Sequence, residues 1–356
     1  MKKNPIPGTL LLVAAFIVSV LSLIQLSAES DTSNGLRSHA LLLIVSSLLA
    51  CSQTALRSVL FAVALAGSAL WLALLPFNGL STLALALLAA VSVKRLASAS
   101  VPAAAVAALL GIWLLWFWQI LVTGFAVPQV ILPAPLDILT ALVDGVSLLA
   151  GDLVQTVLKS VLVGYLLGCG AGVGVALLID RLPFLHRGPL PVPSLTSTAP
   201  LAGLTPTPAL WFGFDWASKA AVVILVTFFP ALVSTLAGLK ASGKLEQELM
   251  YCYAATPHQQ LRMLRLPAAM PFIFSALKVN ATLALITAIV AEYFGSPTAG
   301  LGFRISTESA RMHMPIVWSA IVVSSLAGSL IYTLLVRLDR RVNFWHPSIR
   351  GMATEK

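Results

Sequence analysis

The feature that most constrains this chain is the recurrence of apolar runs about twenty residues long, set apart by short stretches that hold most of the Lys and Arg. A helix of that length crosses roughly 30 Å of hydrocarbon, and in lipid a helix satisfies its own backbone polar groups. The runs read as residues 7–28, 40–55, two between Arg57 and Lys94 divided by Pro76-Phe77-Asn78-Gly79, 102–122, 154–179, 189–212, 220–239, 271–293 and 315–336. That makes about ten spans. Hydrophobic residues are 58% and charged residues 10%, against roughly 25% charged in a soluble domain. The expected fold class is therefore all-α, a polytopic membrane protein.

The first run follows Lys2 and Lys3 and so resembles a signal peptide, but it is longer than a signal's apolar segment and more spans follow. It reads as a transmembrane helix. An inside N-terminus then places Arg57, Lys94, Arg95, Arg181, Arg187, Lys240, Lys244, Arg262, Arg265, Arg337, Arg340 and Arg341 on the cytoplasmic side. Only Arg37, Lys159, Lys219, Arg304 and Arg311 fall outside, and both termini are expected inside the cell. The net charge of +9 is thus a sign of orientation, not of nucleic-acid binding. Residues 124–151 carry Pro128, Pro133, Pro135, Asp137 and Asp144 and no Lys or Arg, and read as an external loop with a short amphipathic helix.

Several chemistries are excluded. Cys51, Cys169 and Cys252 have no metal-ligand spacing and read as small buried hydrophobes. His39, His186, His258, His313 and His346 are scattered. No P-loop and no zincin motif occurs, so any ATP must be used by a partner, and the chain is expected neither to bind a cofactor nor to be an enzyme.

Residues 240–271 are too long and too patterned for a simple connection. Leu245, Leu249, Leu261, Leu264 and Leu266 alternate with Glu246, Glu248, Gln259, Gln260, Arg262 and Arg265, and Ala255-Thr256-Pro257 interrupts the run. The pattern predicts a helix-turn-helix on the cytoplasmic face, either lying on anionic lipid or docking a soluble partner.

Glu248-Leu249-Met250-Tyr251-Cys252-Tyr253-Ala254, followed by residues 255–263 and Leu264-Arg265-Leu266-Pro267, resembles the coupling motif of binding-protein-dependent ABC importer permeases: E-A-A, three residues, G, nine residues, I-x-L-P. Glu248, Leu266 and Pro267 match. Leu249-Met250 stand for the two alanines, Ala254 for the glycine and Leu264 for the isoleucine. Leu132-Pro133-Ala134-Pro135, Leu210-Trp211-Phe212-Gly213-Phe214, Ala291-Glu292-Tyr293-Phe294-Gly295 and Gly300-Leu301-Gly302 are similar to further elements of that family, in its order. The branch is that of sulfonate, taurine and nitrate permeases, and within it Phe228-Phe229-Pro230 and Phe344-Trp345-His346-Pro347 look most like permeases for thiamine-precursor pyrimidines and riboflavin.

The resemblance implies a permease domain over residues 101–343, extra transmembrane helices over 1–100 and a cytoplasmic tail over 344–356. It implies three kinds of protein partner: a separate ABC ATPase, an extracellular or periplasmic substrate-binding protein, and a second permease copy in a homodimer, all set in membrane lipid. Coupling to the ATPase falls to Glu248, Ala254, Arg262, Leu266 and Pro267, with Pro267 and Pro271 redirecting the chain from lever into span. The substrate implied is a pyrimidine or related heterocycle, with a sulfonate, taurine or nitrate as the alternative.

Candidates for the translocation path come from the residues themselves. Thr196, Ser197, Thr198 and Thr205, among Pro193, Pro200, Pro206 and Pro208, make one span too polar and too broken to face lipid all round. Lys278 and Glu292 are charges inside one apolar run, and each either lines the path or is paired structurally. Those two charges also leave open an ion-coupled secondary transporter, for which the helix-turn-helix has no use, while a membrane-embedded enzyme lacks a clustered ligand set. Gly164, Gly168, Gly170, Gly172 and Gly174 predict close helix packing, and Trp113, Trp116, Phe117 and Trp118 an interfacial aromatic belt.

Overall fold

Hydrocarbon-length apolar segments become helices here, and every regular element among the described residues is helical. The structure, a computed structural model, describes residues 85–91, 103–181, 203, 206–295 and 299–346. The expected spans over 7–28 and 40–55, most of the pair before Lys94 and most of 189–212 lie outside those residues. The chain divides into two units, residues 1–138 and 139–356.

In the first unit α1 (Ala103–Gly124) carries the aromatic cluster, whose rings pack on one another, Trp113 and Trp116 edge to face at 5.6 Å. A turn leads to α2 (Pro135–Asp144), the short helix expected in the external loop; the first four residues of α2 belong to this unit and the rest to the second.

The second unit is built on four membrane-length helices, α3 (Val146–Arg181), α5 (Trp216–Leu239), α7 (Pro257–Gly295) and α9 (Met314–Val342). Between them lie α4 (Pro206–Phe212), α6 (Lys244–Cys252) and α8 (Leu301–Ala310). α3, α5 and α7 form the core, where Val161, Tyr165 and Cys169 meet Val223 and Ala231 of α5 and Ala281, Ala284, Leu285 and Ala288 of α7. Alanines on α7 and Gly164, Gly168 and Gly172 on α3 allow this approach, because a Cβ on any of the three glycines would run into α5. Gly170 and Gly174 face open space.

Two helix bounds differ from expectation. α3 begins at Val146, not at 154, so the last part of the expected loop is helix. Asp152, within that added helical stretch, is buried and paired with Arg304 at 2.8 Å, which removes its cost inside a helix. α7 stays helical without a break from the basic segment into the span, so Pro267 and Pro271 lie within it and do not end it. A π-helical turn over Leu261–Arg265 absorbs the strain: the Leu266 N–H reaches back to the Leu261 carbonyl, and Pro267, without an N–H, begins the next α-helical stretch as if at a helix start.

The charges sort by end. Arg181, Lys240, Lys244, Arg262, Arg265, Arg337, Arg340 and Arg341 gather at one end of the spans, termed the basic end, with α6. Lys219, Arg304, Arg311, Asp152, Glu292 and Glu308 gather at the far end, around α8.

Candidate functional site

At the basic end the chain leaves α5 at Leu239 and turns into α6, steadied by Gln247, whose Nε2 donates to the Ser242 carbonyl at 3.1 Å and hydroxyl at 2.8 Å. No residue of α6 is buried. Leu245 and Tyr251 are each 80% exposed and Tyr253 77%, an apolar and aromatic surface on a helix that the rest of the described chain does not cover.

The turn after α6 is a Schellman motif. The Ala254 N–H donates to the Tyr251 carbonyl at 2.9 Å and the Ala255 N–H to the Met250 carbonyl at 3.0 Å, which puts Ala254 in the left-handed region with φ +50°. This explains why glycine suits that place in the resembled motif. Thr256 then caps α7 in a capping box with Gln259, Pro257 standing first in the helix. Thr-Pro-x-Gln was the signal of that cap in the sequence. Ala254→Gly is expected to relieve the left-handed alanine and stabilise the turn by about 1 kcal/mol. Hydrogen exchange at the Ala254 and Ala255 amides should slow severalfold, and unchanged or faster exchange would show that the turn is not strained.

The structure brings the five coupling candidates into one segment. Glu248, Ala254 and Arg262 are exposed along α6, the turn and the start of α7, while Leu266 and Pro267 are half-buried where α7 enters the bundle. Cys252, read as a buried hydrophobe, is instead exposed on α6, because that helix packs on nothing described. Cys169 is buried and accepts from Asn280 Nδ2 at 3.3 Å.

Ser197, Thr198 and Thr205 lie outside the described residues. Lys278 is half-buried and pairs with Asp339 of α9 at 2.8 Å, and Asn343 Nδ2 holds the other Asp339 oxygen at 2.6 Å. Glu292 is 1% exposed at the far end of α7. Its Oε2 accepts from the Thr156 hydroxyl at 2.8 Å and from the Gly302 N–H at 3.0 Å.

Glu292 belongs to a cluster that the sequence did not reveal. The start of α8 is held by three side-chain oxygens: Asp152 takes the Gly300 N–H at 2.9 Å, Thr156 the Leu301 N–H at 2.8 Å and Glu292 the Gly302 N–H. Three orphan donors of a helix N-terminus are thereby satisfied by α3 and α7. Gly300 has φ +127°, a conformation that glycine alone adopts readily, and a Cβ there would press on the Glu292 carboxylate. Lys219, 3% exposed, donates to the Phe214 carbonyl at 2.6 Å and to the Gly295 carbonyl at 2.8 Å, placing a cation on the C-terminus of α7.

Comparison with known proteins gives the arrangement a family. The formylaminopyrimidine transport permease of Halalkalibacterium halodurans is 30% identical over 236 residues, which is 65% of this chain and 92% of that protein. The riboflavin transport system permease of Chloroflexus aurantiacus is 29% identical over 241 residues, 66% of this chain and 88% of that protein. The taurine transport system permease of Escherichia coli is 29% identical over 193 residues, 54% of this chain and 66% of that protein. A family model described as binding-protein-dependent transport system inner membrane component matches residues 9–344, and the chain, a multi-pass inner membrane permease, belongs to that family.

Proposed function

We propose that this chain carries a small organic solute into the cytoplasm as the transmembrane subunit of an ABC importer, driven by a separate ATPase that docks on α6. The observation that carries this is the exposed apolar surface of Leu245, Leu249, Tyr251 and Tyr253 on a short helix, joined by one turn to α7. At 39 residues, α7 is roughly 58 Å long by the helical rise, far more than the roughly 30 Å of hydrocarbon. It therefore reaches from outside the bilayer at the basic end to the Glu292 cluster at the far end as one body.

In this reading the basic end is cytoplasmic, which follows the usual excess of Lys and Arg on that side, and both termini lie there. The far end, with α8, faces the substrate-binding protein. The chain itself holds no cofactor, and ATP is hydrolysed by the partner. A second permease copy completes the translocation path, which runs beside residues 193–208 with Ser197, Thr198 and Thr205 toward the solute. Lys278 and Glu292 brace that path from behind through Asp339 and Thr156. A pyrimidine or related heterocycle is the substrate class, supported by the likeness to the formylaminopyrimidine permease, with a sulfonate, taurine or nitrate as the alternative.

The test is co-purification of the ATPase from membranes that contain both subunits. Glu248→Lys puts a cation on the exposed rim of α6 without touching the bundle, so membrane insertion should be normal while recovery of the ATPase falls about tenfold or more. Full recovery of the ATPase with normal transport would remove α6 as its docking site.

A further inference from the structure

The docking reading explains what pushes on α6 but not how a push on one exposed helix moves three spans. The geometry at Arg265 answers that. Arg265 is the last residue of the π turn in α7. Its Nη1 and Nη2 donate to the two oxygens of Asp180 at 2.9 and 2.5 Å, and its Nε donates to the Leu239 carbonyl at 3.2 Å. Asp180 is the second-last residue of α3, and Leu239 is the last of α5. One guanidinium thus joins the basic ends of the three core helices, in the fixed fork geometry that lysine cannot reproduce.

The position along α7 matters as much as the bonds. Between α6 and Arg265 no residue of α7 is buried, whereas beyond it Ala269, Ile273, Ala276 and Asn280 all are. Arg265 therefore marks the point where an unsupported arm becomes a packed span. It is also where the helix is weakest, because the π turn replaces regular bonding there and Pro271, a little further on, leaves a carbonyl without its usual N–H. A load on α6 would bend the arm there unless something fixed it.

We propose that the Arg265–Asp180 pair is the fulcrum of the coupling arm: it ties α7 to the ends of α3 and α5 so that displacement of α6 tilts the three helices together and reaches the Glu292 cluster at the far end. Arg265 is a positioning residue, acting on the solute only through the spans it holds. The proposal rests on the reading of α6 as the ATPase site.

The experiment uses the permease–ATPase complex in lipid nanodiscs, with Cys51 and Cys252 replaced by serine and Phe294→Cys as a far-end reporter, since Phe294 is 60% exposed. Maleimide labelling of that cysteine is timed with and without trapping by ATP and vanadate. In the otherwise native chain trapping should change the labelling rate about tenfold, a typical coupling between distant sites. Arg265→Gln and Asp180→Asn should still hold the ATPase and hydrolyse ATP, but the change should shrink to less than about twofold, with Arg265→Lys between the two. A merely structural pair would lower the yield and leave the response of the folded fraction intact, and that result overturns the proposal. A full response in Asp180→Asn and Arg265→Lys does the same if Arg265→Gln fails to fold. Loss of the ATPase from the native chain is a different failure, which removes the docking reading and the fulcrum with it.

Discussion

Gly168→Leu should abolish most of the folded protein, while Gly170→Leu, two residues away on the same helix, should leave it untouched. A Cβ at Gly168 overlaps the Thr227 hydroxyl and stands 2.8 Å from the Ile224 carbonyl and 2.9 Å from its Cα. Backbone cannot swing aside as a side chain does, so α3 and α5 must separate along their main contact. Overpacking of this kind costs about 3 kcal/mol or more, a large share of a domain's stability. At Gly170 nothing lies within 4 Å, and the change is expected to stay within about 0.5 kcal/mol. Fluorescence-detected gel filtration of the two variants in mild detergent gives the comparison. Equal monodisperse peaks would mean that α3 and α5 are not packed as described.

The same five glycines show where sequence reasoning stops. Their spacing announces a close helix contact, but only the register of α3 on α5 separates Gly164, Gly168 and Gly172, which touch, from Gly170 and Gly174, which do not. Spans, polarity of the two ends and the helix-turn-helix were legible because each depends on neighbours along the chain: run length, charge spacing, and the Thr256-Pro257 cap. The turn was read correctly as a turn, and Ala254 took the left-handed place of a glycine.

What was not legible depends on partners far away in sequence. Lys278 and Glu292 were each recognised as intramembrane charges, but Lys278 finds Asp339 61 residues on, and Glu292 finds Thr156 136 residues back. Asp152 attracted no notice, though it meets Gly300 and Arg304 across 148 and 152 residues. Helical bonding past Pro267 was not legible for a different reason. A proline normally ends or bends a helix, and no local rule indicates that a π turn will shift the bonding so that the proline stands where its missing N–H costs nothing. The exposed state of Cys252 followed from α6 projecting away from the bundle, which the residue's own apolar character could not indicate.

Glu292→Ala should cost about 3 kcal/mol, and Glu292→Gln should cost about 1 kcal/mol or less, a contrast that follows from which oxygen is used. Among the described residues, both hydrogen bonds to this side chain end on Oε2, and Oε1 has no partner. A glutamine that places its carbonyl oxygen where Oε2 stands keeps the Thr156 hydroxyl and the Gly302 N–H satisfied. Alanine leaves both without an acceptor, in a site 1% exposed, and opens a cavity between α3, α7 and α8. Both changes remove the negative charge near Lys219 alike, so the two orphaned donors and the cavity alone should make the alanine variant less thermally stable than the glutamine variant by at least several degrees. Transport per folded molecule separates the two roles proposed for an intramembrane carboxylate. If Glu292 braces the path, the glutamine variant should transport at nearly the native rate, because the hydrogen bonds and not the charge hold α8 in place. If Glu292 contacts the solute or carries a coupled ion, glutamine should fold normally and transport poorly, and that pairing of results would move Glu292 from the frame of the path to its wall.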